Sequence, residues 1–212
     1  RFSAYDRGSC DYWIEGKTPV AAAQLDQGKG GDALASYRST VALGEDPRRP
    51  ASLAPVLWNQ WPPLVVLEAR TGDFAAAERT LQRTRVAFGE AAALEKPGSN
   101  RRKLFDFGLE GMRLRIEAYR GNDAHVFEAS GQMAAELQAL DLSKEDAGGS
   151  VMRPAVARDN MIRAQLASRM QAGLRLGRYG EAEQAARQRL ALPPNPMSEF
   201  DPQDEISRTQ VM

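Results

Sequence analysis

Apolar residues recur at helical spacing through most of the chain. Between Leu104 and Arg120, Phe105, Leu109, Met112, Ile116 and Tyr119 follow one another at steps of four, three, four and three, which places them on one face of a single helix. Val126, Ser130, Met133, Leu137 and Leu140 repeat those steps after Gly121, as an antiparallel partner would. Pro154 to Leu176 carries Ile162, Leu166, Met170 and Leu174 at i, i+4 spacing, followed by Tyr179, Ala182, Ala186 and Leu190. Phe74, Ala77, Leu81 and Phe88 form a stripe toward Leu94, and Ala33, Tyr37, Val41 and Leu43 one between Asp32 and Leu43. Helical stretches are also expected over Thr18 to Gln27, around Tyr5, Tyr12, Trp13 and Ile14, and as two short pieces between Pro50 and Pro63. The prolines of that last segment are tolerated only in a first helical turn. The expected class is all-α.

The breaks between stripes resemble one another. Gly177-Arg178-Tyr179-Gly180-Glu181 runs into Ala182 and is preceded by Leu174 and Leu176. Gly72-Asp73-Phe74 with Ala77 and Glu78 keeps the same order, and Gly28-Lys29-Gly30 with Ala33 and Gly121-Asn122-Asp123 with Val126 are weaker copies. Gly44 and Pro47 end the first copy, and Lys96 to Asn100 closes the second. Gly148-Gly149-Ser150 marks the polar connection between the third and fourth, and Pro193-Pro194 ends the last. The pattern predicts four helical hairpins over residues 17–47, 58–95, 101–141 and 154–196, in one repeat domain spanning 1–212. Gly108, Gly111 and Ala118 lie on a second side of their helix, where small residues cost helix propensity unless a neighbour approaches closely, so this helix is expected to be sandwiched. Asp201 as N-cap and Pro202 at the first helical position open a further helix over 201–212, which leads us to expect a longer natural chain.

A turn glycine, an aromatic two residues on, an alanine three beyond and a proline after the second helix make the chain similar to the tetratricopeptide repeat. Gly177, Tyr179, Ala182 and Pro194 match that order, and Trp61, Leu64, Gly72, Phe74 and Ala77 match it in the second unit. Successive turn glycines lie 44, 49 and 56 residues apart, against about 34 in the family, so helices or loops must be longer. Gly30 and Asp123 replace the aromatic, and Arg113 and Arg169 stand where the family has apolar residues. The resemblance implies a right-handed α-α superhelix of antiparallel hairpins, in which the alanine permits close helix crossing and the aromatic fills space between hairpins. It also implies a concave groove lined by the first helix of each unit. Carried over residue by residue, the groove positions are Asn59, Val66 and Arg70 in the second unit, Arg115 and Tyr119 in the third, and Gln171 and Arg175 in the fourth. Arg70, Arg115 and Arg175 would form a cationic track for an acidic segment or terminal carboxylate. The alternative pairs these arginines with neighbouring acids such as Glu68 and Glu117. The family's lysine and asparagine carboxylate clamp is absent.

Charge adds a constraint. Lys+Arg and Asp+Glu are 28 each, which argues against a module drawing its affinity from nucleic acid or anionic lipid. Lysine occurs only at positions 17, 29, 96, 103 and 144; the arginine excess is consistent with a GC-rich, bacterial genome. No run approaches the roughly 18 apolar residues of a membrane span, so no membrane insertion is expected. Cys10 is the one cysteine and His125 the one histidine. Together these exclude an internal disulfide, a cysteine-based metal site and an imidazole-pair zinc site; a lone cysteine is compatible with a reducing compartment such as the cytoplasm without establishing one. His125 is expected to be an exposed first-turn residue. Gly16-Lys17-Thr18 lacks the glycine five residues earlier that a phosphate-binding loop requires. Trp58 and Trp61 beside Pro62 and Pro63 could present an aromatic platform, with Trp61 at a family core position. Glu145 and Asp146 show no catalytic spacing.

The sequence therefore leads to a protein- or peptide-binding scaffold within a larger bacterial protein, with no enzymatic activity, cofactor or metal expected. The alternatives are a ligand-sensing regulatory domain that controls an attached effector, and a structural or oligomerisation arm.

Overall fold

The computed structural model describes residues 20–21, 23–24, 27–44, 61–93, 95–96, 98–143, 145 and 154–193. Cys10, the Gly16–Thr18 stretch, Trp58, Asn59 and the helix expected over 201–212 lie outside the described residues. Among the described residues there is no strand. Val20, Ala21, Ala23 and Gln24 are helical, and seven longer helices follow among the described residues. They are α1 (Gly30–Gly44), α2 (Trp61–Arg70), α3 (Phe74–Ala93), α4 (Asn100–Tyr119), α5 (Asp123–Gln138), α6 (Pro154–Arg175) and α7 (Tyr179–Leu190). Pro62, Pro63 and Pro154 occupy first turns, where a missing N–H removes no hydrogen bond. The chain divides into two compact units, Arg1–Leu94 and Glu95–Met212.

One turn recurs. Gly28, Gly72, Gly121 and Gly177 have φ of +72°, +83°, +84° and +73°, the left-handed conformation that a Cβ disfavours. In the last three copies the amide after the glycine reaches back five residues: Asp73 to the Glu68 carbonyl, Asn122 to Glu117 and Arg178 to Gly173. Lys29 donates to the Gln24 carbonyl in the same way. These bonds satisfy carbonyls that the ending helix leaves orphaned. Each turn also sets the next helix in one register, because the first ladder bond always comes from the fifth residue after the glycine: Ala33, Ala77, Val126 and Ala182. All four are completely buried. The repeat seen in the sequence is thus a repeat of backbone geometry.

In the first unit, α2 packs against α1 and α3. Tyr37 and Val41 of α1 bury with Trp61, Leu64 and Leu67 of α2, so Trp61 is core, as its spacing implies. A hydrogen bond from the second helix to the first recurs here: Ser36 Oγ donates to Gln24 Oε1 at 2.9 Å and Thr80 Oγ1 to Glu68 Oε2 at 2.7 Å. Each donor lies eight residues after its turn glycine and each acceptor four before it. Glu68, 3% exposed, also receives Arg38 Nε and Nη2 on Oε1 at 3.1 and 3.0 Å. A buried carboxylate stripped of its cation would cost on the order of 1–3 kcal/mol.

In the second unit, α6 packs against α4, α5 and α7. The core joins Leu104 and Leu114 of α4, Met133, Ala134 and Leu137 of α5, Ile162 and Leu166 of α6, and Ala185 of α7. The stripe expected on α5 is buried throughout. On α6 the i, i+4 row rotates out of the core, since four residues advance by more than one turn. Ile162 and Leu166 are buried, but Leu174 is exposed, and the face continues through Gln165, Ala172 and Gly173. On α4 the expected stripe has Met112 and Ile116 buried, yet the residues that enter the unit's core are Leu104, Phe107 and Leu114. Of the small residues expected to admit a close neighbour, Gly111 does so, and Gly173 on α6 adds another. A Cβ at Gly111 would lie 2.8 Å from Gln165 Nε2, and one at Gly173 would meet Phe127 Cε2 at 3.1 Å and the Ala182 Cβ at 3.2 Å. One role implied by the resemblance is not filled, for Tyr179 is 68% exposed and packs into no space between hairpins.

The turn geometry yields a contrast. Gly121→Ala and Gly177→Ala should each lower stability by about 1 kcal/mol. Gly180→Ala, at an ordinary φ within α7 and with open space around the added methyl, should raise it by up to about 1 kcal/mol. Urea unfolding followed by circular dichroism measures both.

Candidate recognition surface

The groove positions taken from the resemblance fall into two rows of the observed register. Arg70, Tyr119 and Arg175 each stand two residues before a turn glycine, in or beside the last turn of α2, α4 and α6, and all three are exposed. Val66, Arg115 and Gln171 stand six before it; Val66 and Arg115 are half-buried and Gln171 is exposed. Asn59 lies outside the described residues. Arg115, Tyr119, Gln171 and Arg175 belong to the second unit, on helices packed against one another, and Arg70 belongs to the first.

The cationic track needs correcting at Arg175. Its Nε and Nη2 both reach Asp123 Oδ1, at 2.7 Å. Asp123 sits in the first turn of α5, where the helix dipole already favours an acid. Arg115 is not free either. The neighbouring cations are paired as well, Arg178 Nη1 with Glu128 Oε1 at 2.7 Å and Arg120 Nη1 with Glu117 Oε1 at 2.9 Å. The turn edge of the second unit is therefore electrically mixed: Arg175 and Arg178 pair with carboxylates of α5, and Arg120 with Glu117 three residues before it.

Apolar exposure is what distinguishes this edge. Tyr119, Leu174, Leu176 and Tyr179 are exposed there, all within five residues of Gly121 or Gly177. Sequence reasoning assigned Leu174 to the core stripe; counting its angle around α6, rather than its i+4 spacing, would have turned it outward.

Three polar groups deserve placement. His125 is exposed in the first turn of α5, its Nε2 3.4 Å from Arg113 Nη2, as the spacing indicated. Glu145, featureless in the sequence, caps α4 from 45 residues away: its Oε1 accepts the Asn100 amide at 3.0 Å and its Oε2 accepts Ser99 Oγ at 2.7 Å. Asn100 Nδ2 donates to the Asp141 carbonyl at 2.8 Å, fastening the segment after α5 to the start of α4. The Glu117 carboxyl is held below the usual carboxylate range, first by a hydrogen bond from the Asn122 side chain, then by Arg120 through a hydrogen bond and its charge and by the charge of Arg113, against partial burial. Among the described residues no cluster of His, Cys, Asp or Glu could hold a metal ion, and no helix is long and apolar enough to cross a membrane.

Glu145→Ala should cost about 1 kcal/mol and speed hydrogen exchange at the Asn100 and Arg101 amides ahead of the rest of α4. Because the folded Glu117 carboxyl is depressed, its contribution is fully present above the ordinary carboxylate range and is lost as pH falls through the depressed value. Asn122→Ala should move the Glu117 titration, followed by carboxyl-carbon NMR, upward toward the ordinary range. No protein-family model, curated protein or solved structure matches the chain.

Proposed function

We propose that the chain is a protein- or peptide-binding scaffold of tetratricopeptide-like hairpins arranged as a right-handed superhelix. The observation that supports this most directly is the register of the four glycine turns. Within the second unit, identical turns give the same positions of α4 and α6 the same outlook, so Tyr119 and Arg175 recur as exposed residues two before the glycine, and Arg70 is exposed at the equivalent position of the first unit. A row of equivalent, outward side chains on stacked helices suits an extended ligand, which offers side chains at its own regular spacing. The buried carboxylate of Glu68, held by Arg38 and Thr80, has a packing role.

The character of the edge indicates the partner. With Arg175 neutralised by Asp123, attraction of an acidic segment is weak, whereas Tyr119 and Leu174 offer amphipathic and apolar surface. Aromatic side chains commonly carry most of the energy of such contacts. The ligand is an extended peptide with apolar anchors, seated along the ends of α4 and α6.

A random peptide library displayed on phage and selected on the protein tests this. Enriched peptides should contain apolar anchors and lose about ten-fold or more in affinity with the combined change Tyr119→Ala, Gln171→Ala and Leu174→Ala. They should be indifferent to Val86→Ser, an exposed residue on α3. Failure to enrich any peptide, or unchanged affinity in the triple variant, overturns the proposal.

A further inference from the structure

α7 is held to its unit by one narrow face. Its buried residues are Ala182 and Ala185, and it packs on α6. A second line, roughly 100° around the helix from these alanines, is uncovered. Tyr179 and Leu190, 68% and 85% exposed, are the two most exposed large apolar side chains among the described residues. They stand eleven residues apart, which is close to three full helical turns, so both lie on that line. Glu183 and Ala186 fall between them and complete steps of four, three and four. Such spacing belongs to a helix that packs lengthwise on another helix.

The charges along the helix specify which partner fits. α7 carries Glu181 and Glu183 in its first half and Arg187 and Arg189 in its second. Arg187 Nη2 lies 2.6 Å from Glu183 Oε1, with both side chains largely in solvent. Gly180 flanks the line on the same side as Arg187, and a methyl group added there would meet nothing within 4 Å. Turned end for end against a copy of itself, the line meets its own complement. Tyr179 then faces Leu190 at both ends, and Glu183 faces Ala186 on either side of the centre. Arg187 of one copy comes over the open surface of Gly180 and beside Glu183 of the other. A single two-fold axis between positions 184 and 185 makes every contact twice and sets the helix dipoles opposed. A parallel pair would instead place Glu183 on Glu183 and Arg187 on Arg187, which repel.

We infer that the chain self-associates through α7, as an antiparallel two-fold helix pair in which a second copy covers the line from Tyr179 to Leu190. The surface is distinct from the peptide edge, since Tyr119, Gln171 and Leu174 belong to α4 and α6 and none of them lies on this line. One helix of 12 residues on each side makes a contact smaller than the roughly 1,200 Å² of stable interfaces. The dimer is therefore weak, with a dissociation constant on the order of 100 µM, and its formation depends on concentration.

Analytical ultracentrifugation of the full chain from about 1 µM to about 1 mM tests this. The mass should rise reversibly toward the dimer and stop there. Glu183→Arg alone and Arg187→Glu alone should each weaken association roughly ten-fold or more, because like charges then face each other. An equimolar mixture of these two variants should associate again, since one copy offers only arginine and the other only glutamate at positions 183 and 187. Tyr179→Ser combined with Leu190→Gln should abolish association and leave the urea midpoint, measured at low micromolar concentration where the chain is monomeric, unchanged. A chain that stays monomeric throughout overturns the inference, as does association that survives the Tyr179 and Leu190 changes. So does a mixture that fails to recover. A lowered midpoint in the Tyr179 and Leu190 variant overturns it as well, because the line would then be covered by the chain's own residues.

Discussion

The left-handed glycine at the turn of each hairpin is the constraint on which the rest of this structure depends. With φ near +70 to +85° at positions 28, 72, 121 and 177, the chain reverses in two residues, and the amide that follows bonds back across the turn. The next helix then starts in a single register. Any larger residue at the glycine would strain the backbone or open the turn, and every downstream contact of the second helix would shift with it.

From that register follow both the packing and the exposed surface. The fifth residue after each glycine lands in the closest part of the helix crossing, so it must be small or β-branched without a polar atom, and alanine or valine occupies it each time. The second residue before the glycine is exposed in the second, third and fourth copies. Between these extremes lie the seams, which admit some polar groups with partners, while Ser130 Oγ and Gln165 Oε1 are buried without a hydrogen bond. Glu68 is buried because Arg38 and Thr80 are aimed at it, and Arg169 reaches the buried ring of Phe127 because Gly131 clears its path. Packing and electrostatics are solved together, differently in the two units, on one backbone plan.

Much of the fold was legible in the residues themselves. Glycine marks the four hairpin turns, because few other residues adopt that conformation cheaply, although Gly89, Gly111, Gly131 and Gly173 lie within helices. The α5 stripe from Val126 to Leu140 is buried as its steps of three and four require. The stripes of α4 and α6 were legible only in part. An i+4 row drifts around the helix, so Leu174 emerges into solvent although Ile162 at the head of its row is core. On α4 two apolar rows coexist, and periodicity cannot say which one faces α5 and α6.

What the sequence by itself determined is the local content: helices, their left-handed glycine ends and the recurring hairpin turn. These depend on interactions within a few residues, where spacing and backbone preference suffice. Only the tertiary structure decided the fate of charges and rims. Arg175 meets Asp123 52 residues away, and Glu145 caps α4 from 45 residues away. Such pairings turn on which helices face each other and how closely they approach. A long arginine side chain can satisfy several candidate acids, and its choice is made by packing rather than by its place in the chain.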